Sequence, residues 1–431
     1  MLGTIKKGIK NPKKAAIYIL DQFRVLKATD ILEIFDIDRD EFRDKEKLAI
    51  CIGFNPWKRE YFKEYLPEHC LAFTRGKTPA FKIISTLRSL GRPYEVFIWS
   101  YQEPDSIYKY LLKNEIIIHR VEDGFIRSVG LGSDKTKPLS LVIDGDSIYF
   151  NPQVESNLEK IIFSDAKGYT DKQLNKAKDN IAIIIDKNIS KYNFQHTVDN
   201  KCKHFFSDQK NKKTILVVGQ VEDDMSIKLG CDKKINNLDL VKAAYEENSD
   251  CNILFKSHPD VFKGNRENIT SIEEYELYCE VVPIGVSLHE LINLSSHVYT
   301  ITSLSGFEAL MRGKKVTCLG APFYSNWGLT DDRQLVERRS QYTLTLEQLF
   351  YATYIDYPEY IFRDISTTIE VVEASTFNNV HRLIDAESFS DAYHSLKGIY
   401  DKQEYIELES SLNALEMLFY KATKFGQSLA Y

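Results

Sequence analysis

The chain has 431 residues, of which 43% are hydrophobic and 27% are charged, and its formal net charge is −6. This length exceeds one ordinary domain and suits two or three, with enough apolar side chains for a sizeable core. The acidic balance, and the lack of a Lys/Arg block alternating with aromatic residues, argue against a nucleic-acid-binding protein.

The cysteines and the N-terminus indicate a cytosolic protein. Seven cysteines are scattered along the chain without a C-x-x-C pair, which is typical of reduced thiols rather than of a disulfide framework or a zinc site. Several lysines precede the apolar stretch Ala15–Leu20, which is too short for a secretory signal or a membrane span. We predict a cytoplasmic location. The basic start is also compatible with peripheral contact at the cytoplasmic face of the inner membrane.

The first half predicts a parallel sheet. Leu48–Phe54, Leu71–Thr74, Val96–Tyr101 and Ile116–Val121 are short, uniformly apolar runs, typical of strands that are buried on both faces. Helical patterns such as Pro79–Leu90 lie between them. The alternation of strands and helices favours an α/β unit.

The middle of the chain predicts a hairpin, a helix and a linker. Asp144-Gly145 between Ser140–Val142 and Ser147–Phe150 is a type I′ hairpin signal, which also explains the aspartates of Asp144-Gly145-Asp146 without a metal. A long helix is predicted over Asp171–Ile189. The Lys-rich stretch Lys201–Lys213 is predicted to be a linker.

The alternation of strands and helices then restarts, and the final segment from about Leu346 has helical spacing, for example over Leu408–Lys424. The strands of this second unit are predicted at Thr214–Gly219, Asn252–Lys256, Cys279–Val282, His297–Thr300 and Lys315–Leu319, and its helices at Leu238–Glu247, Ser287–Leu294 and Ser305–Arg312.

Two α/β units joined by a linker and followed by helices predict a GT-B fold, in which two Rossmann-like domains face a cleft. We place the acceptor-side domain at 1–200, the linker at 201–213 and the donor-binding domain at 214–345. The mostly helical segment 346–431 is predicted to pack back on the first domain.

The turn after strand His297–Thr300 is a candidate phosphate site. Thr302, Ser303, Ser305 and Gly306 occupy a strand-to-helix turn, where free backbone N–H groups and the helix dipole favour an anion. An ordinary helix cap by Ser303 or Ser305 is the alternative. Glu308, one turn into the helix, is a candidate acceptor of ribose hydroxyls or simply a first-turn acid.

A second strand end carries Lys256 and His258, followed by Pro259. A cationic Lys and a hydrogen-bonding His at that edge suit a leaving phosphate. The segment from Gly219 to Asp232 follows another strand and contains four carboxylates. A solvated acidic loop is its alternative interpretation; we assign Gln220 in this segment to donor binding.

In the first unit, Glu122 and Asp123 follow strand Ile116–Val121 and precede Arg127. A carboxylate pair at a strand end suits a general base. The Arg127 guanidinium suits a two-pronged pair with a sugar carboxylate.

Together these blocks resemble the capsule-polysaccharide-synthesis family of β-Kdo transferases. The resemblance covers about residues 115–335 and is carried by the ordered blocks Val121–Ser133, Pro138–Leu141, Gly219–Asp224, Lys256–Asp260, Ser305–Leu310 and, most specifically, Gly320–Asp332. Single copies of this domain resemble glycosyltransferase family 99, whereas capsule-type relatives carry two transferase modules and this chain only one. A single-linkage enzyme or a module of a larger glycan-assembly protein is therefore expected.

The resemblance implies transfer of Kdo, an eight-carbon 3-deoxy-2-keto acid, from CMP-β-Kdo with net retention. The implied acceptor is a lipid-linked bacterial surface polysaccharide or a glycolipid, as in capsule, O-antigen or lipopolysaccharide synthesis. The Glu-Asp-Gly and His-Pro pairs also resemble bacterial sialyltransferases of the GT-B type, which implies phosphate contact by His258 and a base role for Glu122 or Asp123. No cofactor and no metal are expected, because CMP carries a single phosphate.

Retention through a covalent adduct requires a carboxylate nucleophile. Our preferred residue is Asp232, with Glu222, Asp223 and Asp224 as alternatives. Three rival functions stay open: an inverting CMP-sialic acid transferase, a non-catalytic nucleotide- or glycan-binding module, and a polyol-phosphate transferase.

Overall fold

A computed structural model describes residues 31, 33–128, 136–193, 213–258, 271–283, 285–362 and 364–376. Several parts of the chain lie outside these residues: the basic start, most of the predicted linker, residues 129–135, Pro259-Asp260 and the helix predicted at Leu408–Lys424. The division into domains at 201–213 and at 346 therefore stays a prediction.

The first sheet has seven strands in the order β1-β3-β2-β4-β5-β6-β13. Strands β2 to β5 are parallel, whereas β1, β6 and β13 each pair antiparallel with a neighbour. The strands are β1 (Phe35–Ile37), β2 (Lys47–Ile52), β3 (His69–Thr74), β4 (Glu95–Trp99), β5 (Ile118–Asp123), β6 (Ser140–Asp144) and β13 (Glu359–Tyr360).

Helices cover both faces of this sheet, because a strand buried on both sides needs apolar partners above and below. One face packs against residues such as Ile83, Leu87 and Ile107, and the other against Phe62. The helices are α1 (Arg39–Asp44), α2 (Pro56–Tyr65), α3 (Ala80–Ser89), α4 (Asp105–Lys113), α5 (Asn157–Asp165) and α6 (Asp171–Asp186).

The second sheet is wholly parallel, with its six strands in the order β12-β11-β10-β7-β8-β9. Its strands are β7 (Thr214–Val218), β8 (Asn252–Lys256), β9 (Glu280–Val281), β10 (His297–Thr300), β11 (Lys315–Cys318) and β12 (Asp331–Asp332). Its helices are α7 (Met225–Gly230), α8 (Asn237–Glu247), α9 (Ile272–Glu276), α10 (Leu288–Leu294) and α11 (Ser305–Met311).

Two α/β units of this kind confirm the predicted fold class, a GT-B arrangement. Nearly every predicted strand lies within a few residues of its observed position. Among the described residues, no helix is both long and apolar enough to cross a membrane.

The chain returns to the first unit after the second sheet ends. The elements of this return are α12 (Glu337–Ser340), α13 (Leu346–Phe350), a π-helical turn (Tyr351–Asp356) and α14 (Ile365–Thr376). Arg339, which is buried, donates to Glu159 at 2.7 Å and to the Pro322 carbonyl at 2.7 Å, so it joins the two units. Strand β13 then pairs with β6 of the first sheet.

The predicted hairpin after Asp144 was wrong. Ser140–Asp144 is a strand, but it pairs with β5 and β13, and Ser147–Phe150 is not a strand. The carboxylate of Asp144 accepts the N–H groups of Asp146, Ser147 and Asn157 and the hydroxyl of Tyr357. These bonds turn the chain locally toward α5 and away from a second ladder.

Candidate active site

An acidic pair lies at the carboxyl end of β5, where the first unit approaches the second. Glu122 and Asp123 are the last two residues of this strand. Asp123 lies 3.2 Å from Nε of Arg127, whose side chain is fully buried. Within the described residues, Oδ1 of Asp123 and Nη2 of Arg127 are buried without a hydrogen-bond partner. Both atoms therefore retain hydrogen-bonding capacity for a ligand.

Two lysines complete this acidic and basic cluster. Lys58 is the third residue of α2, the helix that follows β2, and its ammonium lies 3.1 Å from the centroid of the Trp99 ring. Lys191 follows α6, and both lysines interact electrostatically with Glu122 and Asp123. Three cations thus surround two carboxylates, which leaves positive charge for an anionic substrate.

The environment separates the pKa values of the two acids. Burial, and then repulsion by Asp123, raise the pKa of Glu122 above its usual value. Burial acts in the same direction on Asp123, but Lys58 and Arg127 outweigh it and lower the pKa of that carboxyl. A pair separated in this way suits a proton-exchanging Glu122 beside an ionised Asp123.

The main chain of Lys191 joins this cluster to the second unit. Its carbonyl accepts the N–H groups of Arg127 at 3.1 Å and Ser128 at 3.3 Å. Its own N–H faces the carboxylate of Glu308 in α11 and opposes the effect of burial on the pKa of that carboxyl. Burial raises the pKa of Glu308 to about 7. Glu308 therefore lies where the two units meet, rather than on a solvated first turn.

Lys58 and Lys191 were missed by the sequence reasoning. Lys58 follows a parallel strand at the same sheet edge as Glu122, so the strand-end rule that selected Glu122 could have found it. Lys191 follows a helix and carries no such signal. Burial opposes its charge, yet Tyr149, Tyr192 and Asp123 raise the pKa of Lys191, which keeps the ammonium charged.

The second unit brings Gln220 and Thr302 together. The amide of Gln220 donates to Oγ1 of Thr302 at 3.1 Å and accepts the N–H of Thr302 at 2.7 Å. Gly230 packs on the same threonine, because a Cβ there would lie 2.9 Å from its methyl carbon. The loops after β7 and β10 therefore form one wall at the carboxyl edge of the second sheet.

Backbone N–H groups of the turn before α11 are already hydrogen-bonded within the turn. The N–H groups of Ser303, Ser305 and Gly306 donate to Oγ1 of Thr300, Oγ of Ser303 and the Ser303 carbonyl, respectively. The expectation that the first amides are free was wrong for these three. Gly306 is required for close packing, since its Cβ would lie 2.7 Å from Cζ of Tyr324.

Lys256 and His258 lie at the end of β8, as expected. Nζ of Lys256 is 3.5 Å from the Pro283 carbonyl, and both side chains are half-buried. Glu222 accepts the N–H of Asn237, and Asp224 caps α7 through the N–H of Ser226. These last two carboxylates thus have local structural roles.

Asp232 lies at a different part of the cleft. Its carboxylate is exposed, and its N–H donates to the side chain of Gln334 at 2.9 Å. It lines an open cavity of about 350 Å³ that residues of both units share, including Gln153 and Arg338. Asp232 is two residues beyond Gly230, which contacts Thr302.

The sequence pattern of a family described as capsule polysaccharide biosynthesis protein matches residues 95–360, more than half of the chain. The chain belongs to this family. The matched region contains the acidic pair, Lys191 and the whole second sheet. This span confirms the resemblance seen in the sequence blocks.

Curated relatives agree with this membership. The chain is 37% identical over 331 residues to the lipopolysaccharide-processing protein LpsZ of Rhizobium meliloti, covering 77% of this chain and 74% of LpsZ. It is 35% identical over 356 residues to the capsule polysaccharide modification protein LipA of Neisseria meningitidis serogroup B. That match covers 81% of this chain and 48% of LipA, so the family member described here spans about half of LipA.

Two solved structures are similar to the fold. KpsC of Thermosulfurimonas dismutans, described as a beta Kdo 2,4 transferase, matches with a TM-score of 0.63 at 28% identity over 75% of this chain and 98% of that one. KpsC described as a beta Kdo 2,7 transferase matches with a TM-score of 0.58 at 28% identity over 76% and 98%. These similarities support a glycosyltransferase activity for this family member.

Proposed function

We propose that the chain is a retaining β-Kdo transferase that moves Kdo from CMP-β-Kdo to a lipid-linked bacterial glycan. The observation that carries this proposal is the acidic pair of β5 among Lys58, Arg127 and Lys191, against Glu308 of the second unit. A keto-acid sugar brings a carboxylate that such cations can bind, and its transfer requires a carboxylate that exchanges a proton. The similarity to two Kdo transferases supports the choice of sugar.

The donor is proposed to lie across the loops of the second sheet. Gln220, Thr302, Ser303, Ser305 and Gly306 form the wall against the nucleotide. The hydroxyls of this wall, rather than its bonded amides, supply donors to the phosphate. Lys256 and His258 stabilise the phosphate as it leaves, and Glu308 accepts the ribose hydroxyls.

Retention follows if two displacements occur at C2 of Kdo. In the first, a carboxylate oxygen bonds to C2 while the C2–O bond to the phosphate breaks and CMP departs with the electron pair. In the second, an acceptor hydroxyl gives its proton to Glu122 and its oxygen displaces the carboxylate. Asp123 stays ionised beside the developing positive charge.

We retain Asp232 as the proposed nucleophile, because it follows the segment that packs on Thr302. Asp232→Asn should abolish transfer while CMP still binds, and intact-mass analysis of trapped wild-type enzyme should show one added Kdo. Peptide mapping of that adduct separates Asp232 from the alternatives Glu222, Asp223 and Asp224. Full activity in Asp232→Asn would exclude it.

The acidic pair is tested with Glu122→Gln and Asp123→Asn. Both variants should lose transfer but keep CMP affinity, since the pair belongs to the first unit. The assay supplies CMP-Kdo and CMP-sialic acid separately and measures CMP release. Release from CMP-sialic acid alone would favour the inverting alternative, and CMP binding without release would favour a non-catalytic module.

A further inference from the structure

An interdomain aromatic cluster connects the acidic pair to the donor side. It consists of Phe125, Tyr149, Phe307, Phe323 and Tyr354. Phe125 is two residues beyond Asp123, and Phe307 immediately precedes Glu308. The position of these two rings therefore fixes the main chain beside each acid.

Tyr354 contacts both of these rings from the returning segment. Its ring centroid is 5.1 Å from that of Phe125 at an interplanar angle of 25°, and 5.6 Å from that of Phe307 at 22°. Phe350 stacks on it at 4.7 Å and 13°. Phe125, Phe307 and Tyr354 are each at most 2% exposed, so their packing sets a fixed spacing.

The turn that carries Tyr354 is unusual. Tyr351–Asp356 is π-helical, and just beyond it the N–H of Tyr357 donates to the carbonyl of Ala352, five residues back. Within the described residues, the Thr353 hydroxyl is buried without a hydrogen-bond partner. π-Helical turns are rare and recur at functional sites, and an unpaired buried hydroxyl lowers stability. The position of Tyr354 is therefore held by a turn that lowers the stability of the fold.

Two tyrosine bonds hold the turn to the first unit. The hydroxyl of Tyr169 donates to Asp356 at 2.7 Å, and that of Tyr357 donates to Asp144 at 2.8 Å. The segment that carries Tyr354 is therefore anchored to the first unit, while the ring packs on Phe307 of the second.

We infer that Tyr354 is a positioning residue that sets the spacing between the acidic pair of β5 and Glu308 of α11. This inference rests on the proposed function, since that spacing matters only if both acids serve one reaction. Small displacements of reacting groups cost large factors in rate. Loss of the ring should therefore lower kcat while leaving nucleotide binding intact.

The test compares Tyr354→Leu, Tyr354→Phe and Phe163→Leu in the full chain. Phe163 is a partly buried ring that packs against the same core through Trp327 and Tyr342, so its variant controls for the loss of a ring elsewhere in that core. Tyr354→Leu should lower kcat at least about tenfold, with the CMP dissociation constant within twofold of wild type. Tyr354→Phe keeps the stacked ring, so its kcat and its CMP dissociation constant should both stay within twofold of wild type.

Hydrogen exchange supplies a readout that does not depend on the donor. Amides of residues 122–127 should exchange faster in Tyr354→Leu than in Phe163→Leu. Equal exchange in the two variants, or equal kcat, would overturn the inference. A wild-type chain that releases no CMP from CMP-Kdo would overturn the proposed function alone, since the exchange comparison still decides the role of Tyr354. Should Tyr354→Leu not fold, Tyr354→Met is judged by the same criteria.

Discussion

Replacing Glu308 by Gln should stabilise the folded chain at high pH. Glu308 is buried, and burial raises its pKa from 4.5 to about 7. Folding therefore costs about 3 kcal/mol for this carboxylate at pH 8, where it is charged in both states. Gln has nearly the same shape and removes the buried charge, so the variant recovers most of that free energy.

The difference in unfolding free energy between Glu308→Gln and wild type should increase with pH. Below pH 4.5 Glu308 is protonated in both the folded and the unfolded chain, so the two proteins should unfold with nearly equal free energy. The difference should grow as pH rises from 4.5 to about 7 and then stay constant. Urea unfolding of wild type and Glu308→Gln at pH 5, 6, 7 and 8 measures it.

A second buried glutamate supplies the control. Glu159 pairs with Arg339 at 2.7 Å and with Arg338 at 3.0 Å. Glu159→Gln should therefore destabilise the chain by about 3–5 kcal/mol, because it leaves the buried Arg339 without its counter-charge. If Glu308→Gln were also destabilising at pH 8, or showed the same difference at pH 5, the reasoning would be refuted.

The charge of Glu308 should also govern nucleotide affinity. A carboxylate accepts ribose hydroxyls more strongly than an amide does, so Glu308→Gln should weaken CMP binding about tenfold at pH 8. Wild-type affinity should fall as pH drops through about 7, where Glu308 protonates. Calorimetric titration with CMP at pH 6 and pH 8 measures both effects; an unchanged affinity in the variant would contradict the ribose role.

Three further outcomes follow from the site. Lys191→Met should raise the KM for CMP-Kdo while leaving CMP affinity unchanged, because the Lys191 ammonium binds the sugar carboxylate. The control is Lys187→Met, which loses an ion pair with Glu373. Equal KM values for the two variants would contradict the assignment. Gly306→Ala should cost about 1–3 kcal/mol of stability by pressing on Tyr324, whereas Gly168→Ala meets no atom within 4 Å and should be neutral in urea unfolding. Transfer should continue in EDTA, and its loss would show that a metal is needed.

The sheets could be predicted because buried parallel strands are uniform apolar runs, as in Leu48–Phe54 and Asn252–Lys256. The location of Glu122, Gln220 and Thr302 followed from the same logic, since carboxyl ends of parallel strands meet at one edge. Strand β13 was not predicted, because two residues cannot show an alternating pattern.

The features that the sequence did not predict depend on contacts between residues that are distant in sequence. Lys191 becomes a site residue because its main chain bonds to Arg127 and lies near Glu308, and both are far away in sequence. The hairpin after Asp144 failed because the Tyr357 hydroxyl and the amide of Asn157 use that carboxylate. Tyr354 gains its proposed role only through packing against Phe125 and Phe307.

The most direct test of the central claim is a transfer assay with CMP-β-Kdo generated in situ and a panel of synthetic lipid-linked and oligosaccharide acceptors. The anomeric configuration of the product is assigned by NMR. The account predicts CMP release with formation of a β-Kdo linkage in the wild-type chain and none in Asp123→Asn. An α-linked product, or transfer from CMP-sialic acid in place of CMP-Kdo, would contradict it.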